Sequence, residues 1–227
     1  MAFSDYKNVA QVQQRFAITY REEDYITAQD VELPPQFVKE FLFNRDHMDI
    51  YTSEASRCET IIFPILREVY KDYVQQCALW IQKPLSYDND LSGTPDYIIA
   101  TRSILGKTVL GEPLLIVVEA KKNDFEQGWG QCLAALVTAQ KINGDTSLPV
   151  HGIVTDGRLW EFGKLTADMF VKNITGYTVD HLPQLFGALH CVLQSSTAAT
   201  AAMSSRQCLS ETVLSAHRVL AQKTRRV

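Results

Sequence analysis

Five consecutive large apolar residues, Leu114 to Val118, followed at once by Glu119-Ala120-Lys121, constrain this chain more than any other stretch. A strand with one wet face alternates apolar and polar side chains, whereas this run leaves neither face polar. It reads as a central strand covered on both sides. Helices must supply the covers, which places the chain in the α/β class. Side chains alternate across a strand, so Glu119 and Lys121 share a face while Ala120 points the other way. A carboxylate and an ammonium are delivered together where burial ends, and open α/β sheets carry ligand sites at strand termini.

Asp96 supplies a second carboxylate from the neighbouring strand, because Tyr97 to Ala100 continue as a short apolar run. Two converging acids repel unless one takes up a proton or a cation sits between them. Lys121 neutralises only one. Few oxygen ligands open to water suit a divalent ion such as magnesium, which keeps several waters and takes one or two carboxylates.

Two helices frame these strands. Thr52 or Ser53 caps the first, which should run to about Tyr73 or Val74. At 100° per residue, Ala55, Glu59, Ile62, Phe63, Leu66, Tyr70 and Tyr73 form one stripe with Glu59 near its middle, and Glu54 and Glu68 fall off it. A Glu in an apolar stripe must be paired with a neighbouring Arg, protonated or near a metal. Asn123 or Asp124 caps the second helix, which runs to about Lys141. Gln127, Gln131, Ala134, Ala135 and Thr138 share one side of it, and Gly128 keeps that side small enough to approach a sheet.

Pro95-Asp96 and Glu119-Ala120-Lys121 resemble the two halves of the motif of the PD-(D/E)xK phosphodiesterase superfamily, the restriction-endonuclease-like nucleases. The helix carrying Glu59, the helix carrying Gln131 and the strand-turn-strand Val150 to Phe162 (VHGIVTDGRLWEF) follow the order of that family's αβββαβ core. The likeness is greatest to the nuclease domain of type I restriction-enzyme motor subunits and covers Ser53 to Phe162. Those domains often place a Tyr four residues after the Gln; here Ala135 stands, which leaves Gln127 as a substitute for Gln131.

The resemblance implies a central mixed sheet flanked by helices, with N-terminal and C-terminal helical additions. It implies hydrolysis of a DNA phosphodiester, with Asp96 and Glu119 holding Mg2+ and Mn2+ as its substitute. Glu59 would complete the metal site, Lys121 would position the attacking water, and Gln131 would orient a ligand or phosphate. The alternative is a non-catalytic nucleic-acid-binding or assembly module that keeps the fold, with Asp96 capping a turn and Glu119 paired to Lys121.

Composition bears on partners and compartment. The net charge of −4 opposes a nucleic-acid partner, whose affinity comes largely from neutralised phosphates. A local rim of Lys121, Lys122, Arg102, Lys107 and Lys164 would answer that objection. The five cysteines are dispersed and form no C-x-x-C pair, which predicts reduced thiols rather than disulfides or zinc. No leader pattern or membrane-length apolar run occurs, so the expected place is the cytoplasm, without membrane association. No phosphate loop of the G-x-x-x-x-G-K-[ST] kind occurs, so a motor or specificity subunit would be a separate chain.

The remaining stretches read as scaffold. Tyr6 to Thr19 predicts a short helix, and an accessory helix after Pro34-Pro35 packs through Phe37, Val38, Phe41 and Leu42. Ala78 to Tyr87 predicts a strand entering an exposed loop from Asp88 to Gly93, and Thr108 to Leu110 a further short strand. Asp156-Gly157 marks a hairpin turn, and Leu182 to Leu193 a packed helix. These boundaries give one domain over residues 1–194 and a low-complexity linker over 195–205. An amphipathic helix over 206–227 follows, whose seam of Leu209, Val213, Ala216 and Leu220 would join two copies as a homodimer.

Overall fold

The computed structural model describes residues 2–202 of the 227-residue chain. The fold is α/β. A mixed eight-stranded sheet runs β1-β9-β8-β7-β6-β5-β2, with β10 paired to β8, and helices cover both faces. The strands are β1 (Thr19–Glu22), β2 (Cys77–Ile81), β5 (Tyr97–Thr101), β6 (Leu114–Ala120), β7 (Val150–Thr155), β8 (Leu159–Thr166), β9 (Met169–Lys172) and β10 (Tyr177–Thr178). β3 (Leu85–Asp88) and β4 (Leu91–Gly93) form a separate hairpin.

β6 lies inside the sheet, antiparallel to β5 and parallel to β7, and every one of its residues is buried. Its burial separates two cores. Helix α5 (Phe125–Asn143) and helix α1 (Val9–Phe16) cover the face that includes Val117, Val150 and Val154. The other face, with Ile116, Val118 and Ile153, packs against Ile61, Ile62, Ile65, Leu66 and Val69 and against the helix over 182–202. Helix α2 (Pro35–His47) joins that second core through Phe37 and Phe41, while Leu42 is exposed.

The helix after Ser53 is built in pieces: α3 (Glu54–Arg57), a π turn (Cys58–Ile62) and α4 (Phe63–Tyr70), with a 3-10 turn through Tyr73. Ser53 caps it, its Oγ accepting from the Ser56 backbone N–H at 3.0 Å. The π turn overturns the expectation for Glu59. Its i→i+5 bonding widens each turn, so a projection at 100° per residue loses phase across it. Ala55 and Glu59 are exposed, and Arg57, Thr60 and Ile61 take the buried side.

Other expectations change at backbone breaks. The strand expected over Ala78 to Tyr87 divides at Gln82, whose φ of 45° turns the chain out of the sheet before Pro84. Asp88 to Gly93 holds the turn and second strand of the β3–β4 hairpin rather than a loop; Asp88 and Asn89 are exposed as expected, but Leu91 is fully buried. Thr108 to Leu110 forms no strand. The β7–β8 turn has Gly157-Arg158 at its centre, one residue later than expected, because Asp156 still pairs with Leu159 through its backbone N–H at 3.3 Å.

The helix that begins at 182 continues to 202, so 195–202 is not a linker. Its hydroxyls cost the helix little because they bond back to carbonyls one turn earlier, Ser196 to Val192 at 2.8 Å and Thr200 to Ser196 at 2.7 Å. The expected seam from Leu209 to Leu220 and Cys208 lie outside the described residues. Cys58, Cys77, Cys132 and Cys191 are free thiols.

Candidate active site

The register of β5 and β6 brings the two acids together. Tyr97 pairs with Val118, so one step further the antiparallel ladder sets Asp96 opposite Glu119, and opposite residues share a face. Asp96 Oδ2 accepts from the Ala120 backbone N–H at 2.8 Å, which fixes the first acid on the second strand. Lys121 continues the β6–β7 ladder, donating its backbone N–H to the Thr155 carbonyl at 2.8 Å. Its Nζ stands 3.8 Å from Glu119 Oε2, a charge contact beyond hydrogen-bond length.

Helix α5 closes over this pair. Asp124 caps its first turn, accepting from the Gln127 backbone N–H at 2.9 Å. At Gly128 a Cβ would lie 2.7 Å from Val154 Cγ1 and 3.0 Å from Lys121 Cγ, so only glycine lets the helix come this near. Gln131, less than one turn further on, is buried and lines the same cleft as the acids.

That cleft, of about 290 Å3, is lined by Glu54, Asp96, Glu119, Lys121 and Gln131, with Ala2, Phe3, Ser4, Gly93 and Thr94 as its other wall. Four of the five expected residues, Asp96, Glu119, Lys121 and Gln131, therefore meet. Glu59 does not line this cleft. It lines an adjoining one of about 210 Å3, together with Ala55, Cys58, Ile81, Gln82 and Tyr97, and the two clefts share Glu54 and Asp96. The helical acid that lines the cleft beside them is thus Glu54, an exposed residue and the first helical one after the Ser53 cap. The helical projection missed it because the π turn intervenes. Its position next to an N-cap serine was the available signal.

Burial sets the electrostatics. Glu119 is 4% exposed, and burial pushes its carboxyl up to about 8, helped by the Asp96 carboxylate and opposed by the Lys121 ammonium. Asp96 is also raised, chiefly by burial, against the Ala120 N–H and Lys121. Lys121 thus offsets only part of the cost of two recessed acids. A cation between them would remove the rest, since the charged form of a buried acid is the form a counter-charge favours.

The donor set fits a hard divalent cation held by two carboxylates and water. Among the described residues no group of three or more His, Cys, Asp or Glu side chains forms a ready cage, so water would fill the remaining positions, as Mg2+ prefers.

The expected basic rim forms only in part. Lys122 lies beside the site, its Nζ donating to the Thr52 carbonyl at 3.1 Å. Arg102 and Lys107 leave β5 at the end opposite Asp96, about 16 Å away over five strand residues. Lys164 stacks on the Tyr25 ring at 4.1 Å. Gln127 does not line the cleft.

No protein-family model matches this chain, and no curated protein matches it. No helix among the described residues is long and apolar enough to cross a membrane.

Proposed function

We propose that this protein is a metal-dependent nuclease of the PD-(D/E)xK kind, hydrolysing phosphodiester bonds of nucleic acid. The observation that carries the reading is the meeting of Asp96, Glu119 and Lys121 in one cleft at adjoining strand ends. The element order supports it too. A helix after Ser53, the antiparallel set β2, β5 and β6, then α5, then β7 parallel to β6 follows the αβββαβ order of those nucleases.

Asp96 and Glu119 would hold Mg2+ or Mn2+, with Glu54 at the mouth of the cleft as a third acid reached through water. Bound there, the ion supplies an activated water and positive charge at the phosphoryl oxygens. Lys121 holds the attacking water by a hydrogen bond from its ammonium. Its backbone is held by Thr155 and its stem lies beside Gly128, which limits where the ammonium reaches. Gln131 offers an amide to the phosphate or to a water beside it.

The test is cleavage of plasmid and branched DNA and of RNA with added magnesium or manganese, comparing wild type with Lys121→Ala. The variant keeps both carboxylates and should still bind metal by calorimetry, yet cut about 100- to 10,000-fold more slowly, the range for a lost positioning or acid–base group. Metal binding and nucleic-acid affinity without cutting in either protein would replace this reading with that of a non-catalytic binding module.

A further inference from the structure

The walls of the cleft bear on which substrate fits it. Glu119 is almost wholly recessed, and the space above it, about 290 Å3, is at the lower edge of what a small ligand fills. One wall is a strap formed by Ala2, Phe3 and Ser4. Several contacts fix that strap to the β3–β4 hairpin. Phe3 is buried against Gly93, where a Cβ would lie 2.3 Å from its ring. Ala2 forms a β-bridge with Ser92, and the Tyr6 hydroxyl donates to the Asp90 carbonyl at 3.5 Å. The Arg15–Asp90 ion pair ties α1 to the same hairpin.

Beyond Glu54 and Asp96 the second cleft offers another 210 Å3 or so, with Ile81 56% exposed on the edge strand β2 and Gln82 held beside Asp96 by its backbone N–H, 2.8 Å from the Asp96 carbonyl. Two small lobes therefore flank the acids. A duplex presents its phosphates on a broad, stiff outer surface, which fits poorly into a cleft this small with the strap as one wall. An unstacked single strand fits better, one nucleotide to each lobe.

We infer that, within the nuclease reading on which this rests, the substrate is a single-stranded segment. Its scissile phosphate sits at Asp96, Glu119 and Lys121, and its neighbouring nucleotide lies against Ile81 and Gln82. Phe3, by pinning the strap, excludes duplex.

Fluorescence anisotropy with a short labelled single strand and the blunt duplex of the same sequence, in magnesium, reads this without requiring cleavage. Wild type should bind the single strand at least about tenfold more tightly. Phe3→Ala should narrow that ratio by strengthening duplex binding, and Ile81→Ala should weaken single-strand binding alone. Because Phe3 is buried, thermal unfolding accompanies the measurement, and a second variant pairs Ala2→Cys with Ser92→Cys. Oxidised across the β-bridge, it should keep the wild-type ratio.

Equal affinities in wild type, or a ratio unmoved by Phe3→Ala in folded protein, would overturn the inference. So would loss of single-strand binding in the oxidised double variant. Absence of cutting alongside a clear single-strand preference would instead count against the nuclease reading and leave the strand preference standing. Cutting of duplex ahead of single strand would do the reverse.

Discussion

His151 and Gln82 show how single residues carry costs that the surrounding fold absorbs. His151 is buried on β7, where its Nδ1 lies 3.0 Å from Ser196 Oγ. That hydroxyl donates to the Val192 carbonyl, so its oxygen accepts from the ring N–H and the neutral tautomer is satisfied. Burial, and then the Lys164 ammonium, lowers the ring to about 4. Above the unfolded value near 6.5 both states are neutral and the contribution is intact; as pH falls towards 4 only the unfolded chain gains the proton. Stability should therefore drop by on the order of 3 kcal/mol between pH 6.5 and 4 from this residue. Urea unfolding across that range is the check, and His151→Leu should flatten this part of the profile. Gln82 holds a φ of 45°, which side chains with a Cβ adopt at a cost. Gln82→Gly should raise the unfolding free energy by about 0.5–1 kcal/mol, measured in the same denaturation experiment. A fall in stability would mean that the side chain is held by contacts outweighing the strain.

At the scale of elements, α5 and the π turn govern the site. Helix α5 can settle on β6 and β7 only through Gly128, whose missing Cβ makes room for the stiff Val154 and for the stem of Lys121. Gly128→Ala gains helix propensity of about 1 kcal/mol, yet it forces a branched side chain and a strand apart, an overpacking cost of about 1–3 kcal/mol. The expected net result is a loss of about 1 kcal/mol in chemical denaturation and a displaced Lys121. Cleavage should accordingly fall more than the folded fraction does. The π turn acts through geometry instead. It rotates Glu59 away from the core and leaves Glu54, at the helix start, facing the strand ends. Glu54→Gln should therefore weaken metal binding in calorimetry more than Glu59→Gln.

Across the whole molecule the charge is divided. The described body, residues 2–202, is acidic, whereas residues 203–227 carry five Lys and Arg against one Glu. The objection that net charge raises against a nucleic-acid partner applies to the body, and the C-terminal stretch offsets it. A chain ended after Ala202 should lose nucleic-acid affinity, and its salt dependence should shrink by up to about 3.5 in the slope of log K against log salt for a single strand, if all five cations contact phosphate. An unchanged slope would remove that stretch from binding. Light scattering of the two chains would also test the proposed homodimer, since a dimer joined by the seam from Leu209 to Leu220 becomes a monomer when it is removed.

The central strand, the shared face of Glu119 and Lys121, the Asp124-capped helix and the small side of that helix were all legible in the chain, because each depends on local periodicity or on a neighbour a few residues away. Asp96 opposite Glu119 was legible once two runs were taken as adjacent strands. Glu54 was not, because a π turn is a tertiary accommodation: the register of that helix is set by what Arg57, Thr60 and Ile61 pack against, and no period in the sequence records it. Gln82 likewise broke a run that local pattern read as one strand. The wall made by Ala2, Phe3 and Ser4 lies about ninety residues from Gly93 in the chain, and only folding brings it to the cleft that the acids line. Sequence alone determined which chemical groups stand at the strand ends, since alternation along a strand is a property of the backbone. Tertiary structure decided which helical acid joins them and how narrow the approach is, since both follow from packing between segments distant in sequence.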